Sequence, residues 1–373
     1  MDGMVRYFLN HWSALVPILA AVVLAVSWGR SPAAAAMVLV FAALMGAVLA
    51  AVQHAEVVAH RVGEPLGALV LAVAVTIIEV GLIVTLMIST GDKAAALARD
   101  TVFAAIMITC NGIVGLSLLV GAVRRGVAVF NPEGTGAALA TVATLATLSL
   151  VLPTFTTSEP GPVFSSSQLA FAAVTSLVLY GVFVMVQTVR HPGDFLPVEG
   201  GPADRSGVDA LYDFDEHSEP PTKRAAFSSL ALLLVALIGV VGLAKVASPS
   251  IESGIEAAGL PASAIGVVIA LLVLLPETLA AVRIARRDRV QISLNLALGS
   301  AMASIGLTIP AIAIASIWLE GPLMLGLGAT QMVLLALTVV VGALTVVPGR
   351  ATLLQGCVHL VLFSAFVFLA VSP

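Results

Sequence analysis

The apolar residues of this chain fall in runs of about twenty, separated by short stretches that carry charged residues, proline or glycine. A helix needs about 20 mostly apolar residues to cross a hydrocarbon layer about 30 Å thick, so each run predicts a membrane-spanning helix. We number the predicted spans 1 to 11. They lie near residues 12–28, 33–53, 65–89, 101–122, 135–153, 168–188, 226–246, 260–282, 291–318, 321–346 and 351–371. The pattern predicts an all-α membrane protein with about eleven transmembrane helices and no soluble domain.

Composition supports this prediction, because only 10% of the residues are charged and 60% are hydrophobic. Soluble domains carry about 25% charged residues. Span 1 follows a single basic residue, Arg6, and ends without a small-residue cleavage site, so it predicts a retained helix rather than a removed signal peptide. Cys110 and Cys357 lie inside apolar spans without a second cysteine or a histidine at ligand spacing, which predicts packing roles.

Basic residues divide unevenly between the two sides of the predicted membrane protein. Of the 17 Lys and Arg, 13 fall at the N-terminus and in the loops after spans 2, 4, 6, 8 and 10, and 4 fall on the other side. The positive-inside rule then predicts a cytoplasmic N-terminus and a C-terminus outside.

One long polar segment, residues 190–224, contains eight acidic and four basic residues among proline and glycine. It predicts a solvated cytoplasmic linker, and a role in sensing cytosolic cations is the alternative. The linker divides the chain into an extra helix (1–30), a first repeat (31–189) and a second repeat (225–373). Five spans per repeat is an odd number, so the second repeat is expected to be inverted, as in many secondary transporters.

Spans 3 and 8 each contain one embedded acid, Glu79 and Glu277. Glu79 lies 14 residues after Pro65, about 21 Å along a helix at 1.5 Å per residue, and is too deep to reach either surface. Carboxyls inside a membrane are rare and commonly mark ion or proton pathways. The alternative is a protonated glutamate that only hydrogen-bonds a neighbouring helix. Two acids at matching places favour a transport site near the midplane, where inverted repeats meet.

A pair of buried carboxylates can hold either protons or a cation, because desolvation raises the pKa of a carboxyl and a bound cation lowers it. One Ca²⁺ or two protons would neutralise the pair equally well. Pro276 also frees the carbonyl of Leu272 as a candidate ligand. Oxygen ligands suit Ca²⁺ and Na⁺, and side chains in spans 3, 4 and 9 supply more of them. The helper ligands that we predict are Asn111 and Ser304, followed by Thr76, Asn295 and Ser300, although such residues also act as hydrogen-bond contacts between membrane helices.

Several further residues admit two interpretations. Glu64 precedes Pro65 at the start of span 3, which is ordinary chemistry for a helix N-terminus, and a place at the cytoplasmic mouth is the alternative. Asp100 and Gln291, each at the start of a span, are further candidate gate residues. His359 in span 11 is either a packing residue or a proton relay.

Five stretches together resemble the calcium/cation antiporter superfamily, and within it the bacterial calcium (sodium, potassium)/proton antiporters. They read AVTIIEV at 74–80, LARDTVFA at 97–104, VQTVRH at 186–191, LLPE at 274–277 and QISLNLALGSA at 291–301. The resemblance implies that spans 3, 4, 8 and 9 form two signature repeats in a bacterial inner membrane. It further implies that Glu79 and Glu277 are the acids that cation and proton share. The Gly-Asn-x-Pro turn of other branches is absent, and only Pro276 remains.

We therefore expect a secondary active antiporter that exports Ca²⁺, or Na⁺ or K⁺, in exchange for H⁺ by alternating access. A sodium-driven exchanger and a cation channel are the rivals within transport. An intramembrane enzyme is disfavoured, since neither a His-Glu-x-x-His motif nor an aspartate-rich metal motif is present. The expected partners are inorganic cations, protons and the lipid bilayer, with no nucleic acid and no cofactor beyond the transported ions. The residues leave the cation and the oligomeric state open.

Overall fold

The computed structural model describes residues 2–30, 33–63, 66–90, 95–198, 221–319 and 321–372. The helices are α1 (Asp2–Ser27), α2 (Ala34–Val62), α3 (Leu66–Thr90), α4 (Leu97–Arg125), α5 (Pro132–Phe155), α6 (Ser166–Arg190), α7 (Lys223–Ala257), α8 (Ser263–Arg286), α9 (Val290–Ala315), α10 (Ala329–Val346) and α11 (Leu353–Val371). Ten of these are long and apolar enough to cross a membrane, and α1 adds the shorter apolar stretch Trp12–Ser27. The prediction of an all-α membrane protein with about eleven helices is confirmed. Glu64 and most of the acidic linker lie outside the described residues.

The predicted start of span 10 is wrong by eight residues, and α2 and α7 continue nine and eleven residues beyond the predicted ends of spans 2 and 7. Span 10 was expected from residue 321, whereas α10 begins at Ala329. Residues 321–328 form an irregular segment instead, in which the backbone N–H of Gly326 donates to Pro162 at 3.0 Å and that of Leu327 to Leu150 at 2.8 Å. Buried Leu325 and Leu327 therefore make this loop apolar without making it a helix.

Three helices contain a wide turn of the π type, which the apolar pattern does not reveal. The turns are Ile108–Ile113 in α4, Thr147–Val151 in α5 and Val186–Arg190 at the end of α6. Such turns often occur at functional sites in helices. The turn in α4 contains Asn111, and every residue in it is buried.

Two short strands were also not predicted. Strand β1 (Val127–Val129) follows α4, and β2 (Arg350–Thr352) precedes α11. They pair antiparallel, with Val127 opposite Thr352 and Val129 opposite Arg350. Three residues per strand are too few to show a period of two in the sequence.

The helices form two compact units, each of which is described by itself. The first unit comprises residues 1–94 and 220–265, and so contains α1, α2, α3 and α7. Small residues allow its helices to pack closely, as is usual in membranes. A Cβ on Gly81 would lie 2.7 Å from the side chain of Val241, and one on Gly242 would lie 2.5 Å from that of Leu24.

The second unit comprises residues 95–219 and 266–373, and contains α4, α5, α6, α9, α10, α11 and nearly all of α8. The loops after α4 and α10 pair through β1 and β2, and Arg125 at the end of α4 contacts Asp288 in the loop after α8 at 2.9 Å. The loops after α5 and α9 meet at a different set of contacts, among them Gly326 with Pro162. Within this unit, successive loops therefore alternate between two ends, as membrane-crossing helices require.

Candidate functional site

Glu79 lies in the middle of α3, 13 residues after Leu66, or about 20 Å along the helix. Its side chain is 3% exposed, and it is the one charged residue of that helix. Thr76, three residues earlier, lies near the same face, but its hydroxyl donates to the carbonyl of Ala72 at 2.8 Å within α3. The structure therefore places Glu79 as a deeply buried carboxyl in an apolar helix.

Glu277 lies 14 residues after the start of α8 and is half-buried. Pro276 is inside the helix directly before it. Because proline has no backbone N–H, the carbonyl of Leu272 lacks its usual helical donor. Glu277 thus differs from Glu79 in both exposure and local backbone.

Asn111 is fully buried in the wide turn of α4, and both ends of its amide have partners. The amide nitrogen donates to Thr338 Oγ1 in α10 at 2.9 Å, and the amide oxygen lies 3.1 Å from His359 Nδ1 in α11. The Thr338 hydroxyl donates to the carbonyl of Leu334 at 2.7 Å, so its oxygen is left to accept from Asn111. His359 Nδ1 must then carry the proton that Asn111 accepts.

The same network continues to Thr345, whose hydroxyl lies 3.2 Å from His359 Nε2. Beside it is a cavity of about 20 Å³, lined mostly by apolar side chains such as Leu139 and Leu298, together with His359 and three threonines. This volume is room for about one water molecule. Hydrogen bonds at both ends of the Asn111 amide favour the interhelical role that the sequence left as an alternative, and the ion-ligand role stays the competing prediction.

The predicted polar residues of α9 divide into two groups. Near the start of the helix, Gln291 donates to Asn295 Oδ1 at 2.8 Å and accepts from the backbone N–H of Asn131 at 2.6 Å. Asn295 donates in turn to the carbonyl of Phe195 at 2.6 Å. Gln291 and Asn295 thus join three chain segments at one end of the second unit. Deeper in α9, Ser300 is half-buried and Ser304 is 6% exposed, and the two lie one helical turn apart.

Asp100 lies in the first turn of α4 and is 7% exposed. It accepts hydrogen bonds from Arg99 Nε at 2.9 Å and Gln331 Nε2 at 3.1 Å, and Arg99 also donates to the carbonyl of Gly326 at 3.2 Å. Asp100 therefore holds α4 to the start of α10. Its role as a gate stays a prediction.

The sequence did not indicate a contact that joins three signature helices of the second unit. Ser293 in α9 donates to the carbonyl of Ala281 in α8 at 2.8 Å, and its hydroxyl lies 2.7 Å from that of Ser117 in α4. Ala281 is one turn beyond Glu277 on α8. A serine in an apolar run carries no signal of its partner, so only the fold reveals this contact.

In the part of the chain that the structure describes, no group of three or more His, Cys, Asp and Glu side chains could hold a metal ion. A resident metal centre of that kind is therefore not present among these residues. A transported cation is a different case, because it requires a temporary site.

A sequence profile for sodium/calcium exchanger proteins matches residues 32–189 and 228–372, which is most of the chain. The chain belongs to this family. The family consists of membrane transporters, so the protein is a transporter and not an enzyme, and the resemblance seen in the sequence is confirmed.

Relatives of this exchanger-family protein align over nearly its whole length. A Sinorhizobium fredii protein that carries the provisional name of ionic transporter is 44% identical over 97% of this chain and 96% of its own. ChaA of Escherichia coli, named a sodium-potassium/proton antiporter, is 34% identical over 95% of this chain and 94% of its own. Among solved structures, the H⁺/Ca²⁺ exchanger CAX is similar with a TM-score of 0.68 at 17% identity, covering 97% of this chain and 88% of its own. At that identity the likeness shows the fold.

Proposed function

We propose that the protein is a cation/proton antiporter that exports Ca²⁺, Na⁺ or K⁺ across the bacterial inner membrane in exchange for protons. Glu79 and Glu277 would each hold either a proton or part of the cation's charge during alternating access. The observation that carries the proposal is the burial of Glu79, at 3% exposure, in a helix with no other charge. Family membership and the name of the 34% identical Escherichia coli relative support it.

Burial explains why the Glu79 carboxyl should exchange one cation for another. An isolated carboxylate in an apolar interior is costly, so the group is stable only when it is protonated or lies against a positive charge. Proton and metal ion then compete for the same oxygen atoms. This competition couples the two fluxes, because loss of the proton creates the affinity for the cation.

Glu277 would contribute differently, because it is half-buried and follows Pro276. The carbonyl of Leu272 supplies a neutral oxygen nearby along the helix, which a cation bound by Glu277 could share. Ser304 is retained as a predicted helper ligand, since it is buried in a signature helix.

The charge of the two acids and the available oxygen atoms suit Ca²⁺, Na⁺ and K⁺ alike. Two carboxylates balance one Ca²⁺, or one Na⁺ or K⁺ together with one retained proton. Sodium and potassium appear in the name of the 34% identical relative, whereas calcium appears in that of an Aphanothece halophytica antiporter that is 25% identical. Adding each cation in turn to energised vesicles, and recording which one dissipates the proton gradient, would identify it.

The decisive experiment is cation-dependent proton flux in inverted membrane vesicles that contain the wild type, Glu79→Gln or Glu277→Gln. Each variant should lose most exchange, since glutamine keeps the shape but not the proton or the charge. Glu256→Gln is the matched control, because Glu256 is exposed near the end of α7. A sodium-driven exchanger would show sodium dependence without proton movement, and a channel would pass current without exchange. Near-wild-type exchange by both variants would exclude the proposed acids.

A further inference from the structure

One end of the second unit gathers a set of basic side chains from three segments that are far apart in the sequence. This arginine patch consists of Arg124, Arg125, Arg283, Arg286, Arg287, Arg289 and Arg350. Three contacts bring the segments together.

Arg125 at the end of α4 donates to Asp288 Oδ2 at 2.9 Å, and Arg124 Nε lies 3.7 Å from Asp288 Oδ1. Those contacts join α4 to the loop after α8. Strand β1 begins two residues after Arg125, and its Val129 pairs with Arg350 of β2. The three segments therefore meet at the same end of the unit.

Asp288 lies within this patch, between Arg287 and Arg289 in the sequence. The hydrogen bond from Arg125 lowers the pKa of the Asp288 carboxyl, so that carboxyl stays ionised near neutral pH. It lies against Arg125 and near Arg124, and Arg124, Arg283, Arg286 and Arg350 are all exposed. The patch thus has exposed guanidinium donors to present to an anion.

Two of these arginines continue the exposed apolar face of α8. Val268 is 51% exposed, Leu271 43% and Leu279 44%, and an exposed apolar face of this kind on a membrane helix is suited to contact lipid. At about 100° per residue, Arg283 and Arg286 fall within about 60° of the direction of Val268. Arg283 and Arg286 therefore continue this exposed apolar face at the end of α8.

We propose that the arginine patch binds the headgroups of anionic phospholipids at this end of the second unit. Guanidinium groups match phosphate oxygens in a two-pronged geometry, and each basic residue near a membrane surface favours anionic lipid by about fivefold. The neighbouring apolar face of α8 favours a lipid over a water-soluble anion, because the acyl chains of a bound lipid lie along that face. The positive-inside rule alone would require basic residues on this side of the membrane. It would not require them to come together from three segments beside the exposed apolar face of α8.

The proposal concerns a binding surface and stands apart from the proposed exchange. It connects to that exchange through α8, which carries Glu277 at mid-helix and Arg283 and Arg286 at its end. A bound headgroup would hold the end of α8 at the membrane surface. Lipid binding is measurable without transport, so failure of one proposal leaves the other intact.

The test is native mass spectrometry of the full-length protein released from micelles with equal amounts of phosphatidylglycerol and phosphatidylcholine. Wild-type protein should retain phosphatidylglycerol preferentially. Arg283→Gln/Arg286→Gln/Arg350→Gln should lose roughly tenfold or more of that preference. The matched control is Arg190→Gln/Lys223→Gln/Arg224→Gln, which removes three exposed basic residues that topology predicts on the same side. It should lose much less of the preference than the patch variant does.

If the triple variant does not fold, Arg350→Gln alone can replace it, because this substitution leaves every long helix unaltered. It should reduce the preference for phosphatidylglycerol by about fivefold. Equal loss in the control would overturn the proposal, because it would show a general effect of positive charge. Displacement of phosphatidylglycerol by excess inorganic phosphate would also overturn it, in favour of a site for a soluble anion. Unchanged preference in both patch variants would overturn it directly.

Discussion

Replacing Asn111 with alanine should destabilise the second unit without greatly changing affinity for the transported cation. Asn111 is fully buried and hydrogen-bonds to Thr338 and His359 on two other helices. Asn111→Ala removes both bonds and leaves His359 Nδ1 without its acceptor. The expected result is a weaker attachment of α4 to α10 and α11.

The size of the effect follows from the geometry. Hydrogen bonds between membrane helices contribute about 0.6 kcal/mol on average and at most about 1.7 kcal/mol, and Asn111 makes two of them. A buried polar group that loses its partner costs about 1–3 kcal/mol. We therefore expect Asn111→Ala to lower the free energy of unfolding by about 2–4 kcal/mol. His359→Ala should lower it too, with a coupling of roughly 1 kcal/mol between the two substitutions.

The assay is reversible unfolding in mixed micelles with increasing dodecyl sulfate, applied to both single variants and the double variant. Ser364→Ala is the control, because the exposed Ser364 hydroxyl bonds within α11 to the carbonyl of Leu360, and its effect should stay within about 0.5 kcal/mol. The apparent KM for cation should change less than about twofold in Asn111→Ala. If the losses of unfolding free energy in Asn111→Ala and His359→Ala are additive in the double variant and KM rises strongly, Asn111 is an ion ligand and not an interhelical contact.

Further substitutions test backbone geometry and the surface ion pair. Asp288 has a φ of 63°, so Asp288→Ala should cost about 1–2 kcal/mol more than Asp288→Gly, as measured by apparent melting temperature. Because Arg125 lowers the pKa of Asp288, their pair stabilises the fold above about pH 4 and stops doing so as the pH falls through the lower folded pKa. The melting temperatures of wild type and Asp288→Asn should therefore converge in acid. A Cβ on Gly266 would lie 2.8 Å from the backbone of Asp100, so Gly266→Ala should lower the melting temperature, whereas Gly254→Ala, with open space around it, should not.

Helix number was predictable because the membrane imposes a length on each apolar run. Predictions failed where a segment is apolar for another reason. Leu325 and Leu327 are buried by a loop whose backbone bonds to neighbouring segments, and this imitates the start of a helix in the sequence. Wide turns such as Ile108–Ile113 leave the same apolar composition as a regular helix, so the pattern could not reveal them.

The candidate acids were predictable, and the partners of the polar residues were not. Glu79 stands out because no other charge occurs in its helix. Asn111 and Gln291 stand out equally as polar residues in apolar surroundings, but whether such a side chain faces an ion or another helix depends on packing. Packing pairs Asn111 with His359, 248 positions away, and no spacing rule relates two such positions.

The most direct test of the account is proton release from purified protein, reconstituted in liposomes, when cation is added to the side with low proton concentration. Wild-type protein should exchange protons for the cation, Glu256→Gln should behave like wild type, and Glu79→Gln should lose most of the exchange that exceeds that of empty liposomes. Exchange by Glu79→Gln at the wild-type rate would contradict the claim that the buried carboxyl of α3 is where cation and proton compete.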